Sequence, residues 1–121
     1  MRSSAVLVLE NGAIFEGKAV GASGLRCGEI CFQTGMTGYQ EVLTDPSYCE
    51  QIVVMTAAQI GNYGIRHGED ESDKIQVSGM VMRECSSYHP PGTQGLSAFL
   101  EEQGIPGMEH TDTRALTRMI R

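Results

Sequence analysis

Cationic residues are scarce in this sequence. Nine Lys and Arg stand against 15 Asp and Glu, which gives a net charge of −6 and an isoelectric point near 4.9. Nucleic-acid affinity depends on Lys and Arg displacing counterions from phosphate, so the shortage argues against DNA or RNA as a partner. Tryptophan is absent altogether.

Long hydrophobic runs are missing as well. Residues 5–9 form a short apolar run, too short for a membrane span or for the h-region of a signal peptide. We therefore expect no membrane partner and a cytoplasmic location. Cysteine is too sparse for a secreted disulfide scaffold, and we expect four reduced thiols. They are Cys27, Cys31, Cys49 and Cys85.

Several catalytic motifs are also missing. The chain has neither a phosphate-binding loop with its lysine nor the Gly-x-Cys-x-Gly elbow of a nucleophilic cysteine. We predict no ATP site and no catalytic residue in this chain. Cys27 and Cys31 would share a strand face, but zinc needs two further ligands there, so packing thiols are favoured over a metal site. The acidic run at residues 69–73 lacks calcium-loop spacing and is interpreted as a solvated loop.

The chain's 121 residues suffice for one domain with one core. Asn11-Gly12 lies between two apolar runs, which predicts a β-hairpin with a type I′ turn. The first strand is apolar on both faces, which predicts a position inside the sheet. Further strands are predicted within residues 27–34, 51–57 and 75–82.

Helices are predicted mainly in the last third of the chain. One follows Thr93 as its cap and ends at Gly104. Another follows Thr111 or Asp112 and buries Leu116, Met119 and Ile120. A helical turn is also expected at residues 40–43. Strands first and helices last indicate an α+β fold whose helices cover one side of the sheet.

The segment 35–48 is rich in glycine, small polar residues and tyrosine. Asp45-Pro46-Ser47 predicts a tight turn that holds the Ser47 hydroxyl outward. A hydroxyl can donate and accept, so it could meet either end of an amino-acid ligand, although a turn serine more often caps its own turn. Tyr39 and Tyr48 are expected to pack on the sheet rather than anchor a partner.

Several motifs together resemble the N-terminal domain of the small, glutamine-using chain of carbamoyl phosphate synthetase. The motifs are Leu7-Val8-Leu9-Glu10-Asn11-Gly12, Gly28-Glu29, Met36-Thr37-Gly38-Tyr39-Gln40-Glu41, Leu43-Thr44-Asp45-Pro46-Ser47-Tyr48, Ile60-Gly61-Asn62-Tyr63-Gly64 and Asp112-Thr113-Arg114-Ala115-Leu116-Thr117-Arg118. The match runs in order along residues 1–121, which we take as this one domain without the amidotransferase domain.

This resemblance implies a swivelling β/β/α domain in an enzyme that makes carbamoyl phosphate from bicarbonate, glutamine and ATP for arginine and pyrimidine synthesis. It implies that a C-terminal amidotransferase domain hydrolyses glutamine and that a large subunit binds ATP and metal ions. The present domain would be non-catalytic and would dock on the large subunit. By its motif, Ser47 would be this domain's contribution to the L-glutamine site.

Two features set limits on the resemblance. Residues 56–59 are Thr-Ala-Ala-Gln where the family usually has Thr-Tyr-Pro, so this corner is expected to be looser. The elbow cysteine is absent, which agrees with a domain separated from its amidotransferase half. The alternatives are a stand-alone interaction module of the same fold and a zinc domain using Cys27 and Cys31.

Overall fold

A computed structural model describes residues 3–35, 38–66 and 74–120 of the chain. In this part of the chain there are six strands and three α-helices. The strands are β1 (Ser4–Val8), β2 (Ile14–Gly21), β3 (Glu29–Gln33), β4 (Gln51–Met55), β5 (Gly79–Met82) and β6 (Pro106–Glu109). The helices are α1 (Tyr39–Thr44), α2 (Leu96–Glu102) and α3 (Thr113–Ile120), with a 3₁₀ helix at Pro46–Tyr48.

One mixed sheet contains all six strands in the order β1-β2-β6-β5-β4-β3. Strands β3 to β6 pair in parallel, whereas β1 and β2 are antiparallel to their neighbours. Successive parallel strands step across the sheet in one direction, so right-handed crossovers put their connections on the same face. The structure agrees, because Leu43 of α1, Ile60 of the β4–β5 connection and Leu100 of α2 belong to one core cluster.

The sheet has a second buried face. Val53 and Met55 of β4 belong to the helix-side cluster, while Val54 between them belongs to a second cluster with Leu7 of β1. This second cluster runs across one face of the sheet, with Met108 of β6 and Val81 of β5 between Leu7 and Val54 in the strand order. The predicted α+β class is confirmed, with one mixed sheet of six strands and three helices in the described residues.

Helix α3 differs from the prediction in its placement. Its Leu116 is fully buried in the second cluster together with Val81, on the face opposite α1 and α2. The prediction of helices on one side is therefore correct for α1 and α2 and wrong for α3. The predicted buried stripe of α3 is also wrong at Met119 and Ile120, which are 49% and 42% exposed.

The predicted hairpin is confirmed, but its turn type is wrong. Strand pairing ends at Val8 and Ile14. Gly12 N donates to Leu9 O, and only Gly12 of the turn has positive φ, so the loop is a type I turn with a glycine bulge. The double burial predicted for β1 is wrong too, because β1 is an edge strand. Val8 on its outer face is 64% exposed.

The remaining elements give mixed outcomes. Asp112 caps α3 as predicted, since its Oδ1 accepts from Ala115 N at 3.0 Å. Thr93 does not cap α2; its hydroxyl donates to Pro90 O at 2.6 Å, and Gly95 precedes the helix. Strand β6 was not predicted. The predicted acidic loop at residues 69–73 lies outside the described residues.

Candidate functional site

The corner between α1 and β4 carries Ser47. Asp45 Oδ1 accepts from Ser47 N at 2.9 Å, and Tyr48 N donates to Asp45 O at 3.0 Å. Pro46 opens the 3₁₀ helix, where its fixed φ suits the first helical position. The predicted turn is thus present, and its bonds use the backbone of Ser47 rather than the side chain.

Ser47 itself is exposed on this corner. Its hydroxyl makes no hydrogen bond to any residue in the described part of the chain. The hydroxyl is consequently free to donate to a carboxylate or to accept from an ammonium group of a ligand. The serine does not cap its own turn, because the Asp45 carboxylate performs that function.

Tyr39 fixes the beginning of this segment. It is 3% exposed, and its hydroxyl donates to Gly64 O at 3.1 Å and accepts from Tyr63 N at 2.9 Å. Tyr48 is half-buried, and its hydroxyl accepts from Gln33 Nε2 at 2.8 Å. Both tyrosines therefore pack inward, as predicted, and neither is an exposed anchor for a partner.

Gln40 makes a second contact between α1 and the segment at residues 63–66, and the sequence did not reveal this contact. Its Nε2 donates to Arg66 O at 2.7 Å, and its Oε1 accepts from Arg66 N at 2.8 Å. Gln40 is 4% exposed, so its side chain makes both hydrogen bonds from a buried position. Within the motif Gly38-Tyr39-Gln40-Glu41, two side chains thus hold α1 against residues 63–66.

Gly28 fixes the segment that follows Ser47. A Cβ at Gly28 would lie 2.2 Å from Glu50 O, so no other side chain fits without moving that backbone. Glu50 itself has φ 64, a left-handed conformation that is uncommon for a residue other than glycine. Both features constrain the chain between the 3₁₀ helix and β4, which keeps the Ser47 corner in one place. Cys49 and Glu50 line an open groove of about 600 Å³ at this end of the sheet.

The cysteines named in the zinc alternative differ in their surroundings. Cys27 is exposed ahead of β3, whereas Cys31 packs against the helix-side core. No group of three or more His, Cys, Asp or Glu in residues 3–35, 38–66 and 74–120 is placed to hold a metal ion. Burial raises the pKa of the Cys31 thiol, which disfavours the thiolate.

The polar contacts of the two histidines in the described ranges involve neither a cysteine nor Ser47. His89 Nδ1 lies 3.1 Å from Thr93 Oγ1, and His110 Nε2 lies 3.6 Å from the buried Glu109 Oε1. The third histidine, His67, lies outside the described residues.

No helix among the described residues has the length and apolarity needed to cross a membrane.

Comparison with known proteins identifies close relatives. The family model described as "Carbamoyl-phosphate synthase small chain, CPSase domain" matches residues 7–121. The carbamoyl phosphate synthase small chain of Akkermansia muciniphila is 50% identical over 119 residues, covering 97% of this chain and 32% of the relative. That of Streptomyces coelicolor is 52% identical over 122 residues, covering 99% and 32%.

A third relative has a more specific name. The carbamoyl phosphate synthase pyrimidine-specific small chain of Bacillus subtilis is 50% identical over 119 residues, covering 95% of this chain and 32% of the relative. The chain thus spans about a third of the length of the curated relatives it matches.

Proposed function

This chain belongs to the carbamoyl-phosphate synthase small chain family, and from that premise we propose that it is the non-catalytic N-terminal domain of the small subunit. In this role it supports glutamine amidotransfer, which supplies ammonia for carbamoyl phosphate synthesis from bicarbonate, glutamine and ATP. The amidotransferase domain follows it in the small subunit, and the large subunit binds ATP and metal ions. The domain docks on that large subunit in the cytoplasm.

One observation carries the assignment of the glutamine contact. The Ser47 side chain is exposed, and its hydroxyl makes no hydrogen bond to the described residues, while Asp45 fixes the turn beneath it. A second domain facing this corner would complete a glutamine site to which Ser47 adds one hydrogen bond. Hydrolysis of the glutamine amide takes place on that second domain, which supplies the nucleophilic cysteine.

The pathway assignment is part of the same proposal. Carbamoyl phosphate made by such an enzyme serves arginine synthesis, pyrimidine synthesis or both. The Bacillus subtilis relative is named pyrimidine-specific, whereas the names of the other two relatives carry no pathway. Deleting the gene and supplying arginine or uracil separately would assign this chain to one pathway or to both.

Ser47→Ala in the full-length small subunit, assembled with the large subunit, tests the proposed contact. Losing a hydrogen bond to a charged ligand group costs about 1.5–3 kcal/mol, which corresponds to a roughly tenfold or greater rise in the apparent KM for glutamine. Carbamoyl phosphate synthesis from added ammonia should keep its wild-type rate, because free ammonia bypasses the glutamine site. Steady-state assays with each nitrogen source measure both quantities.

Ser23→Ala is the matched control, since Ser23 is an exposed loop serine whose hydroxyl also makes no hydrogen bond to the described residues. It should leave both activities unchanged. An unaltered glutamine KM in Ser47→Ala would remove Ser47 from the site. A failure of the wild-type assembly to use glutamine would instead contradict the whole functional assignment.

A further inference from the structure

A basic groove of about 730 Å³ lies where three parallel strands end against α3. Phe32 of β3 and Thr56, directly after β4, line it from the sheet. Arg83, directly after β5, and Arg114 and Arg118 of α3 provide its charge. The described residues contain seven Lys and Arg, so nearly half of these cations converge on one groove of a chain whose net charge is −6.

This positive charge is not neutralised within the described residues. Among the described residues, the groove lining includes no Asp or Glu. The side chains of the three arginines are exposed and make no hydrogen bond or ion pair to the described residues. The two carboxylates nearest in sequence face other partners: Glu84 Oε1 accepts from Gln59 Nε2, and Asp112 Oδ1 accepts from Ala115 N.

Rigid elements hold the groove in shape. Leu116 is fully buried and fixes α3 on the sheet, so Arg114 and Arg118, four positions apart, project from one side of that helix. Arg83 O accepts from His110 N at 2.8 Å, which ties the end of β5 to the end of β6. The backbone that carries the three arginines is therefore fixed, so ligand binding requires the ordering of side chains but not of the main chain.

We propose that this groove is a docking site for an acidic segment of the large subunit. Arginine is suited to such contacts because its planar fork pairs with a carboxylate through two hydrogen bonds. Small-molecule sites enclose most of their ligand, whereas these arginines are exposed on the surface, which favours a protein partner. The half-buried Phe32 beside them could contact an apolar residue of the acidic segment. The proposal rests on the proposed function, which supplies the large subunit as partner.

The test compares charge reversals in the full-length small subunit. Arg114→Glu and Arg118→Glu should each weaken binding to the large subunit roughly tenfold or more, because each places a carboxylate against the acidic segment. Lys18→Glu makes the same charge change at an exposed residue of β2 that does not line the groove, and it should alter the affinity less than about threefold. Affinity is measured by titration at several salt concentrations. The salt dependence of the wild-type affinity should decrease in both arginine variants.

Folding is checked by far-UV circular dichroism and thermal melting. Both arginine side chains are exposed without partners among the described residues, so the melting temperature should stay near that of the wild type. Arg114→Gln serves as a milder variant that removes charge without adding repulsion. Its affinity should fall between those of the wild type and Arg114→Glu.

Equal affinities for the wild type, Arg114→Glu and Arg118→Glu would overturn the docking site while leaving the proposed function intact. A wild-type small subunit that does not bind the large subunit would contradict both. Titration with inorganic phosphate at constant ionic strength tests whether a small anion, rather than the large subunit, binds in the groove. If Arg114→Glu abolished saturable phosphate binding and kept its affinity for the large subunit, the groove would be a small-anion site and the docking proposal would be wrong.

Discussion

Tyr39 and Ser47 lie in the same segment and use their hydroxyl groups in opposite ways. The Tyr39 hydroxyl is buried and joins two backbone groups of the 63–64 turn. Ser47 is exposed, and the Asp45 carboxylate, not the Ser47 hydroxyl, bonds the turn. The first residue fixes where the segment lies, and the second is left free for a ligand.

Tyr39→Phe tests this division of roles. The substitution leaves the buried Gly64 carbonyl and Tyr63 amide without the hydroxyl that pairs them, which should lower the free energy of unfolding by about 1–3 kcal/mol. Tyr88→Phe is the control, because Tyr88 is 65% exposed and its hydroxyl makes no hydrogen bond to the described residues. Its effect should stay within about 0.5 kcal/mol. Urea unfolding of both variants followed by circular dichroism measures the difference, and equal stabilities would contradict the role given to Tyr39.

At the scale of elements, local patterns predicted the structure where local forces determine it. The Asn11-Gly12 hairpin and the Asp112 cap both depend on neighbours in sequence, and both are present. Strand β6 was missed because Pro106 and Gly107 are typical of a turn. They form a strand here through long-range pairing with β2 and β5, with proline at the strand's first residue.

Strand β1 illustrates the limit of hydrophobic patterning. Its continuous apolar run resembles that of a buried strand, but only the order of strands in the sheet decides that β1 lies at the edge. Leu7 packs in the second core cluster at 9% exposed, whereas its neighbour Val8 faces outward. The two faces of this strand should therefore respond differently to mutation.

Leu7→Ala should lower the free energy of unfolding by about 2–4 kcal/mol, because it opens a cavity in the second core cluster. Val8→Thr should change it by no more than about 0.5 kcal/mol, because the side chain is already in water. Urea denaturation of each variant provides the comparison. A large loss of stability in Val8→Thr would restore the original prediction of a doubly buried strand.

At the scale of the whole molecule, the two proposed sites differ in how far the sequence could predict them. The Ser47 corner is contiguous, so its turn chemistry and its family motif are both legible in the sequence. The basic groove brings together Phe32, Arg83 and Arg114, and only the folded sheet places these residues side by side. Patterns of neighbouring residues could not have revealed it.

The central claim is that glutamine contacts the Ser47 corner in the assembled small subunit. Ser47→Cys in the full-length protein places a reactive thiol there, and alkylation by iodoacetamide can be quantified at each cysteine by mass spectrometry. The native Cys49 is exposed and serves as an internal reference beside the site. We predict that glutamine slows alkylation at position 47 progressively until it saturates, with a smaller change at Cys49. An alkylation rate at position 47 that is unchanged at saturating glutamine would contradict the account.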